Sequence, residues 1–408
     1  MRMQTEYKRS RFNCVCKKEN EYLIYNTLYN SLSRLSEQEY RQYCHLGTAK
    51  KELIREFASQ GVIVSKEIDE LRLYYTYTFL GTKYQKPKPN ITVTPTMECN
   101  ARCFYCYEEG IRCAKMKDGC AEKIIAFLKK MDLRNGIYLT WFGGEPLLNQ
   151  QWMDYFADCL KKEKISFTSF MITNGSKINE EVICKMRDCW NIKSIQITLD
   201  GTFEEYIKRK NYIVQDEFVY DRILQNIKSL SRADIFVQIR LNIDRENAES
   251  ILELVYDLQQ GFYKNANVTY YPAFLTGSKN ALSEREKIDI IKQILKADKN
   301  KLPVNSYLYK LPKTGACYYN QRGAYSIDAE GNIFICERML GHSNMALGNV
   351  KDGFEPGLEE RGLSGREQMC QSCVFLPKCS GGCQNARNHG DPPCFIDKYI
   401  ITAYLEML

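Results

Sequence analysis

Between Ile91 and about Lys301 the chain alternates short extended apolar runs with longer amphipathic stretches of helical period. Strands are expected at Ile91-Thr-Val-Thr, Gly136-Ile-Tyr-Leu-Thr-Trp-Phe, Phe167-Thr-Ser-Phe-Met-Ile-Thr, Ser194-Ile-Gln-Ile-Thr-Leu, Ile235-Phe-Val-Gln-Ile-Arg-Leu-Asn and Asn267-Val-Thr-Tyr-Tyr. Strands that each hand over to a helix point to a parallel sheet, because a parallel return needs a long crossover. Six such repeats in about 210 residues, with no signal for two more, predict an α/β fold: a partial, open (β/α)6 barrel of TIM type, short of the closed eight-stranded form. In sheets of this kind the chemistry sits at the C-terminal ends of the strands.

The flanks follow other patterns. In residues 1–88, Arg11-Phe-Asn-Cys-Val-Cys-Lys-Lys alternates, Glu19-Asn20 turns, and Tyr22-Leu-Ile-Tyr resumes an extended run, which together predict a hairpin. Ser36-Glu-Gln-Glu39 is a capping box for one helix, and Thr48 is expected to cap a second that stops at Gly61. Val62-Ile-Val-Ser and a third helix near Asp69 complete a winged-helix-like domain, and Lys86-Pro-Lys-Pro-Asn90 reads as a stiff linker. Residues 302–408 are loop-rich, with Gly, Pro and seven Cys but few apolar repeats, so a small cysteine-dense domain held by metal is expected after the barrel at 89–301.

Composition narrows the chemistry. A formal charge of +7 over 408 residues gives no electrostatic argument for nucleic acid. Met1 to Arg11 has no apolar core of the signal-peptide kind, and no run of about 18 apolar residues occurs, so a cytoplasmic protein outside the membrane is expected. With 18 Cys against 3 His, metal ligands would be thiolates; the scarcity of His argues against mixed Cys/His zinc, haem and non-haem iron triads.

Cys99-Asn-Ala-Arg-Cys103-Phe-Tyr-Cys106 follows the first barrel strand directly, with spacing C-x3-C-x2-C. Three thiolates on one tight loop can hold three irons of a [4Fe-4S] cube and leave the fourth iron open, whereas structural zinc closes its shell with four ligands. The segment resembles the radical SAM superfamily, down to the aromatic Tyr105 before the third Cys, and the resemblance extends along the barrel. It implies that S-adenosylmethionine is the cofactor, cleaved reductively to a 5′-deoxyadenosyl radical. By the same resemblance Gly143-Gly144-Glu145-Pro146 grips the methionyl amino group through its backbone. Thr173, Asn174, Gln196, Thr198 and Asp200 approach the ribose and carboxylate, either Arg209 or Lys210 neutralises that carboxylate, and Arg240 and Asn242 are further candidates.

The tail carries Cys317, Cys336 in Gly331-Asn-Ile-Phe-Ile-Cys, then Cys370, Cys373, Cys379, Cys383 and Cys394. These positions resemble the seven cysteines of the SPASM extension; two zinc sites are the plainer reading of the same spacings. The resemblance implies one auxiliary [4Fe-4S] cluster on Cys370, Cys373, Cys379 and Cys394, and another on Cys317, Cys336 and Cys383, three clusters in all. Where some relatives supply a further thiolate this chain has Leu311, which leaves the last cluster an open iron able to bind a substrate thiolate. Of the remaining cysteines, Cys14 and Cys16 share one face of a strand.

Enzymes that resemble this one in both cysteine sets act mostly on peptides, and the N-terminal domain resembles the leader-recognition element of ribosomal-peptide maturases. The resemblance therefore implies a maturase that forms thioether bridges from Cys sulfur to a carbon of an acceptor residue. Its partners would be a precursor peptide with a leader sequence and a ferredoxin- or flavodoxin-type electron donor, with no nucleic acid and no membrane. Carbon–carbon crosslinking and sulfatase-type Cys/Ser oxidation are the alternatives. Sulfatase-oxidising relatives place an Asp base after the second Cys of the extension; here Glu337 follows Cys336 and is the candidate catalytic residue. An electron relay lacking a cofactor pocket and a DNA-binding regulator are the readings from other classes.

Overall fold

The computed structural model describes residues 6–84, 88–262, 267–276, 279–297, 304–308, 317–357, 368–390 and 394–408. Three strands at the N-terminus, β1 (Tyr7–Arg9), β2 (Asn13–Lys17) and β3 (Glu21–Asn26), are followed by β4 (Ser31–Ser36), α1 (Glu37–Cys44), α2 (Lys51–Ser59), β5 (Ile63–Ser65) and α3 (Glu70–Tyr84). The expected hairpin is thus a three-stranded antiparallel sheet in the order β2-β3-β4, with β1 and β5 paired separately. The capping box at Ser36 forms as anticipated: the Glu39 amide donates to the Ser36 hydroxyl, and the Ser36 amide donates to the Glu39 carboxylate. Thr48 does not cap α2. It lies in a 3₁₀ turn and donates to the His45 carbonyl, so the helix starts only at Lys51. Part of the expected linker, residues 86–87, lies outside the described residues.

The barrel strands fall where the apolar pattern put them: β6 (Asn90–Thr96), β7 (Ile137–Gly143), β8 (Phe167–Thr173), β9 (Ile192–Leu199), β10 (Phe236–Ile243) and β11 (Val268–Phe274). All pair in parallel, in the spatial order β11-β10-β9-β8-β7-β6. The crossovers carry α4 (Cys120–Leu128), α5 (Gln150–Lys162), α6 (Glu180–Asp188), α7 (Phe203–Lys210), α8 (Val219–Arg232) and α9 (Ala248–Phe262), and α10 (Glu284–Ala297) follows the last strand. Their apolar faces meet the sheet in one continuous core that includes Val93, Trp141, Met171, Ile197 and Ile239.

The C-terminal segment is more regular than its composition suggests. It contains α11 (Val304–Leu308), β12 (Ala324–Ile327), β13 (Asn332–Phe334), β14 (Gly348–Asn349), α12 (Gln368–Gln371), α13 (Leu376–Cys379), α14 (Gln384–Asn388) and α15 (Asp397–Met407). β12 pairs in parallel with β6 and extends the barrel sheet, and β13 and β14 continue it antiparallel to nine strands. α15 packs on α10 and α11 from the other side. Where few apolar repeats were expected in the tail, Tyr399, Ile400, Ile401, Ala403 and Leu405 are buried along one helix. No helix among the described residues is long and apolar enough to cross a membrane.

Candidate functional site

The loop after β6 is held from two directions. From β7, the Gly144 amide donates to Thr96 O (3.2 Å) and the Glu145 amide to Glu98 O (2.8 Å). A Cβ on Gly144 would stand 2.4 Å from Glu98 O and 2.6 Å from Met97 O, and one on Gly143, at φ +119°, would stand 2.4 Å from Thr96 O. Only glycine lets these two backbones touch. From the end of α7, Lys210 O accepts from the Arg102 amide (3.0 Å) and from the Cys103 thiol (3.8 Å), and Ala101 bridges Tyr212.

This loop presents Cys99, Cys103 and Cys106. Burial pushes the Cys99 thiol up to about 12, and Glu145, Cys103 and Cys106 add to the shift as electrostatic neighbours. Buried thiols facing one another are poor free thiolates, and bonding to iron is what stabilises them in that form. Among the described residues no three His, Cys, Asp or Glu side chains converge on one ion-sized point. Thiolates that each hold a different iron of a cube do not need to.

Around the loop the other expected residues divide by role. Glu145 is fully buried and accepts from the Thr173 hydroxyl (2.7 Å), the Asn174 amide (2.9 Å) and the Leu147 amide (3.1 Å). Its carboxylate and the Thr173 hydroxyl therefore tie the ends of β7 and β8 together, and Thr173 does not point its oxygen at a ribose. The Asn174 amide side chain donates to Asn100 Oδ1. Gln196 accepts from the Tyr271 hydroxyl at 2.5 Å, Arg240 donates to Asn242 at 2.8 Å, and Thr198 is half-buried two residues beyond Gln196 on β9.

Arg209 and Lys210 differ in their partners. Arg209 is committed to the buried Asp244 (2.7 Å) and lies over the Phe104 ring. Lys210, 4% exposed, reaches Asp200 (3.1 Å) and the Tyr105 hydroxyl (2.9 Å), and Tyr105 donates to the same Asp200 oxygen. The other Asp200 oxygen, Oδ1, is buried without a hydrogen-bond partner. An orphaned carboxylate oxygen beside a tethered ammonium, at the strand ends above the three thiols, fits a ligand that brings hydroxyl or ammonium donors together with a carboxylate. The residues present thus suit S-adenosylmethionine and a cluster.

Across the site stands a second group of charges. Glu337 is half-buried beside Arg240 and Arg338; burial raises its carboxyl above the usual value and the two arginines oppose the shift. Sequence reasoning missed Glu108, two residues past Cys106. Burial pushes its carboxyl up to about 7, with Glu337 adding to the rise, and its Oε1 is buried without a partner. The signal available was an acid following the Cys-Phe-Tyr-Cys-Tyr run, a position the motif alone does not single out.

Six of the seven tail cysteines gather in two sets. Burial pushes Cys336 up to about 12, with Cys317 and Cys383 among its electrostatic neighbours. Cys379 is likewise raised to about 12 by burial, with Cys373, Asp397 and Cys370 around it. Arg387 donates to the Cys370 sulfur at 2.8 Å, and Ser380, Gly381 and Gly382 all take positive φ between Cys379 and Cys383. Cys394 is exposed and has Lys287 and Tyr399 as electrostatic neighbours. Leu311 lies outside the described residues.

Residues 93–258 match the model of the Radical SAM superfamily. Among curated proteins the chain is similar to the radical SAM cyclopropyl synthase TigE of Paramaledivibacter caminithermalis, 19% identical over 91% of this chain and 84% of that one. Among solved structures it is similar to anSMEcpe with bound AdoMet and Cp18Cys peptide, at TM-score 0.60 and 15% identity over 78% of this chain and 95% of that one. It also matches Streptococcus suis SuiB bound to precursor peptide SuiA, at TM-score 0.51 and 14% identity over 97% and 100% of the two chains. At these identities the structures establish the fold, a partial barrel with helices on its outer face. Residues 93–258 are thus a radical SAM domain, and the protein that carries it is a radical SAM enzyme.

Proposed function

We propose that this enzyme is a precursor-peptide maturase that forms thioether bridges between a Cys sulfur and a carbon of an acceptor residue. The observation that carries the reading is the pairing of the Cys99–Cys103–Cys106 loop, under its Gly143-Gly144 clasp, with two further cysteine sets in the tail. We assign Cys370, Cys373, Cys379 and Cys394 to one auxiliary [4Fe-4S] cluster and Cys317, Cys336 and Cys383 to another, in a SPASM-type extension. When bound, S-adenosylmethionine and the clusters supply abstraction of one hydrogen atom from the acceptor carbon and removal of one electron.

The chain's own residues do the rest. Lys210 and Asp200 hold the charged end and the hydroxyls of the cofactor, with Tyr105 fixing both. Glu145 locks two strand ends so that the clasp cannot open. Glu337 accepts the proton of the cysteine thiol, a role assigned from its place directly after Cys336 and beside Arg240. Bridge formation then balances: one hydrogen atom, one proton and one electron leave, and one C–S bond forms.

The peptide assignment draws support from SuiB, whose structure with a precursor peptide aligns over nearly the whole chain, N-terminal domain included. In that domain the outer strand β4 pairs only with β3 among the described residues, leaving an edge to which an extended leader can add. A second reading, carbon–carbon bond formation within a peptide, is favoured by the near full-length similarity to a cyclopropyl synthase. Anaerobic coexpression with short Cys-rich peptides encoded nearby, followed by mass spectrometry, decides. Loss of two hydrogens per bridge with the Cys no longer alkylable is expected; the same mass loss with every Cys still alkylable refutes the thioether assignment in favour of carbon–carbon coupling.

A further inference from the structure

The first and last segments of the chain meet through one turn. Residues 27–30 connect β3 to β4 and, with the last two residues of β3, make the turn at 25–30; Asn26, fully buried, builds it, its Oδ1 accepting from the Leu28 and Tyr29 amides (3.0 and 2.9 Å). Its Nδ2 donates to Ser10 Oγ, Asn13 Oδ1 and Gly61 O, at 2.8, 2.8 and 3.1 Å, and Asn30 closes the turn at φ 60°. The outer side of this turn docks on the cysteine loop of the tail. The Thr27 hydroxyl donates to Val374 O, Tyr25 donates to Leu308 O, and Arg11 donates to Gln371 O at 2.6 Å. Phe12 and Tyr74 close over Cys370 and Leu376 in a small apolar cluster, with Leu28 against it. Cys14, raised by burial, has Cys373 as an electrostatic neighbour.

At the centre of this contact is Lys378, with no exposed surface. Its ammonium donates to Asn30 Oδ1 in the turn and to Leu308 O (2.7 Å), and it lies 5.6 Å from the centre of the Tyr25 ring. A buried ammonium is costly to desolvate, and an apolar side chain of the same length would fill the space more cheaply. Lys378 stands immediately before Cys379, on the helix Leu376–Cys379 between two cysteines of the set 370, 373 and 379. Net charge and burial around a cluster set its potential, so a fixed cation at that point favours the reduced form.

We propose that the N-terminal module is a structural part of the auxiliary-cluster site, with Lys378 as the positioning residue that joins the turn at residues 25–30 to the loop carrying Cys373 and Cys379. The inference rests on the reading that this cysteine set holds a [4Fe-4S] cluster. It goes beyond that reading by making the module that would receive a leader peptide one wall of a metal site in another domain. The strand β4 that offers the free edge begins at the residue after Asn30, so whatever pairs with that edge bears directly on the Lys378 tether.

The test compares full-length, anaerobically reconstituted wild type with Lys378→Met, Asn30→Ala, Thr27→Val, Asn30→Asp and Cys373→Ala. Iron and sulfide per chain, the electron paramagnetic resonance signals of the reduced protein and their midpoint potentials are measured. Cys373→Ala should lose about four irons, one cube's worth. Lys378→Met should either lose the same iron or keep it with the auxiliary signal moved to a lower potential, and Asn30→Ala and Thr27→Val should shift in the same direction by less. Asn30→Asp, which keeps the acceptor but sets a negative charge against the Lys378 ammonium, should keep full iron while its auxiliary signal moves to a lower potential. Should Lys378→Met fail to fold, the two turn variants decide. Full iron with unmoved signals in the Lys378 and turn variants, beside iron loss in Cys373→Ala, overturns this inference and leaves the cluster assignment standing. Full iron in Cys373→Ala removes the cluster assignment and this inference with it.

Discussion

Arg209 and Lys210 are adjacent in sequence and carry the same charge, yet their side chains serve different ends. Arg209 closes a pair with Asp244 in which both partners are essentially buried, and removing one partner of such a pair costs about 3–5 kcal/mol because the other charge is left behind. Arg209→Met should therefore lower the thermal midpoint markedly while the folded fraction still binds S-adenosylmethionine with wild-type affinity by calorimetric titration. Lys210→Met should do the reverse in kind, with binding and 5′-deoxyadenosine formation falling at least about 10-fold as the ammonium facing Asp200 is lost. Equal binding defects in the two variants would refute the division. Gly144→Ala probes the clasp. Its Cβ would sit 2.4 Å from Glu98 O, so the cysteine loop must shift, and misplacement by about 1 Å costs a reaction about 100-fold. Cofactor cleavage should drop on that scale in a protein whose far-ultraviolet dichroism is unchanged. Sequence spacing marked all of these positions because the motif fixes the backbone. It left Arg209 against Lys210 open, since both side chains turn inward and only their tertiary partners, Asp244 for one and Asp200 for the other, distinguish them.

At the scale of elements, apolar periodicity located all six barrel strands to within three residues, because each is seven or eight residues long and its buried positions recur often enough to carry the signal. It failed where strands are short. β12, β13 and β14 hold four, three and two residues between cysteines and turns, below the length at which alternation can be distinguished from chance. Helix starts were legible where a side chain does the capping, as at Ser36, and illegible at α2, whose N-cap is Lys50 with no side-chain bond. α10 has a capping box that was overlooked. Ser283 and Glu286 bond reciprocally, and Arg245 adds an ion pair at 3.0 Å. The Arg245 hydrogen bond, followed by those from Ser283, holds the Glu286 carboxyl down to about 2, below its value of 4.5 when free. A carboxyl depressed on folding contributes stability above its unfolded pKa and loses it as pH falls through the folded one. Glu286→Gln should thus melt below wild type at pH 6, with the gap narrowing as pH is lowered from about 4.5 toward 2. A gap that stays constant over that range would show that the charge of Glu286 is irrelevant to the helix.

Across the whole molecule, the three expected segments are not independent bodies. Gly323 O accepts from the Asn90 amide at 2.9 Å, and Ala324 to Ile327 pair residue for residue with Asn90 to Val93, so the first barrel strand has its outer edge covered by the tail. On the opposite side α15 lies along α10, fastened at its rim by Lys398 to Glu284 (2.6 Å) and Arg285 to Glu406 (3.1 Å), and buries Ile400 and Ile401. The N-terminal module in turn rests on the tail's cysteine loop. A barrel cut at 89–301 would therefore expose an unpaired parallel strand at one end and the apolar face of α10 at the other, two surfaces that promote aggregation. Expressed alone, residues 89–301 should be recovered in the insoluble fraction. Full-length Ile400→Asp, which spoils only the α15 contact, should remain soluble but lose several degrees of thermal midpoint and with them the seating of the last strand, whose Tyr271 hydroxyl donates to Gln196 on β9. A soluble, monomeric 89–301 fragment with sharp near-ultraviolet dichroism would show instead that the barrel closes its own core and that the tail serves its cysteines alone.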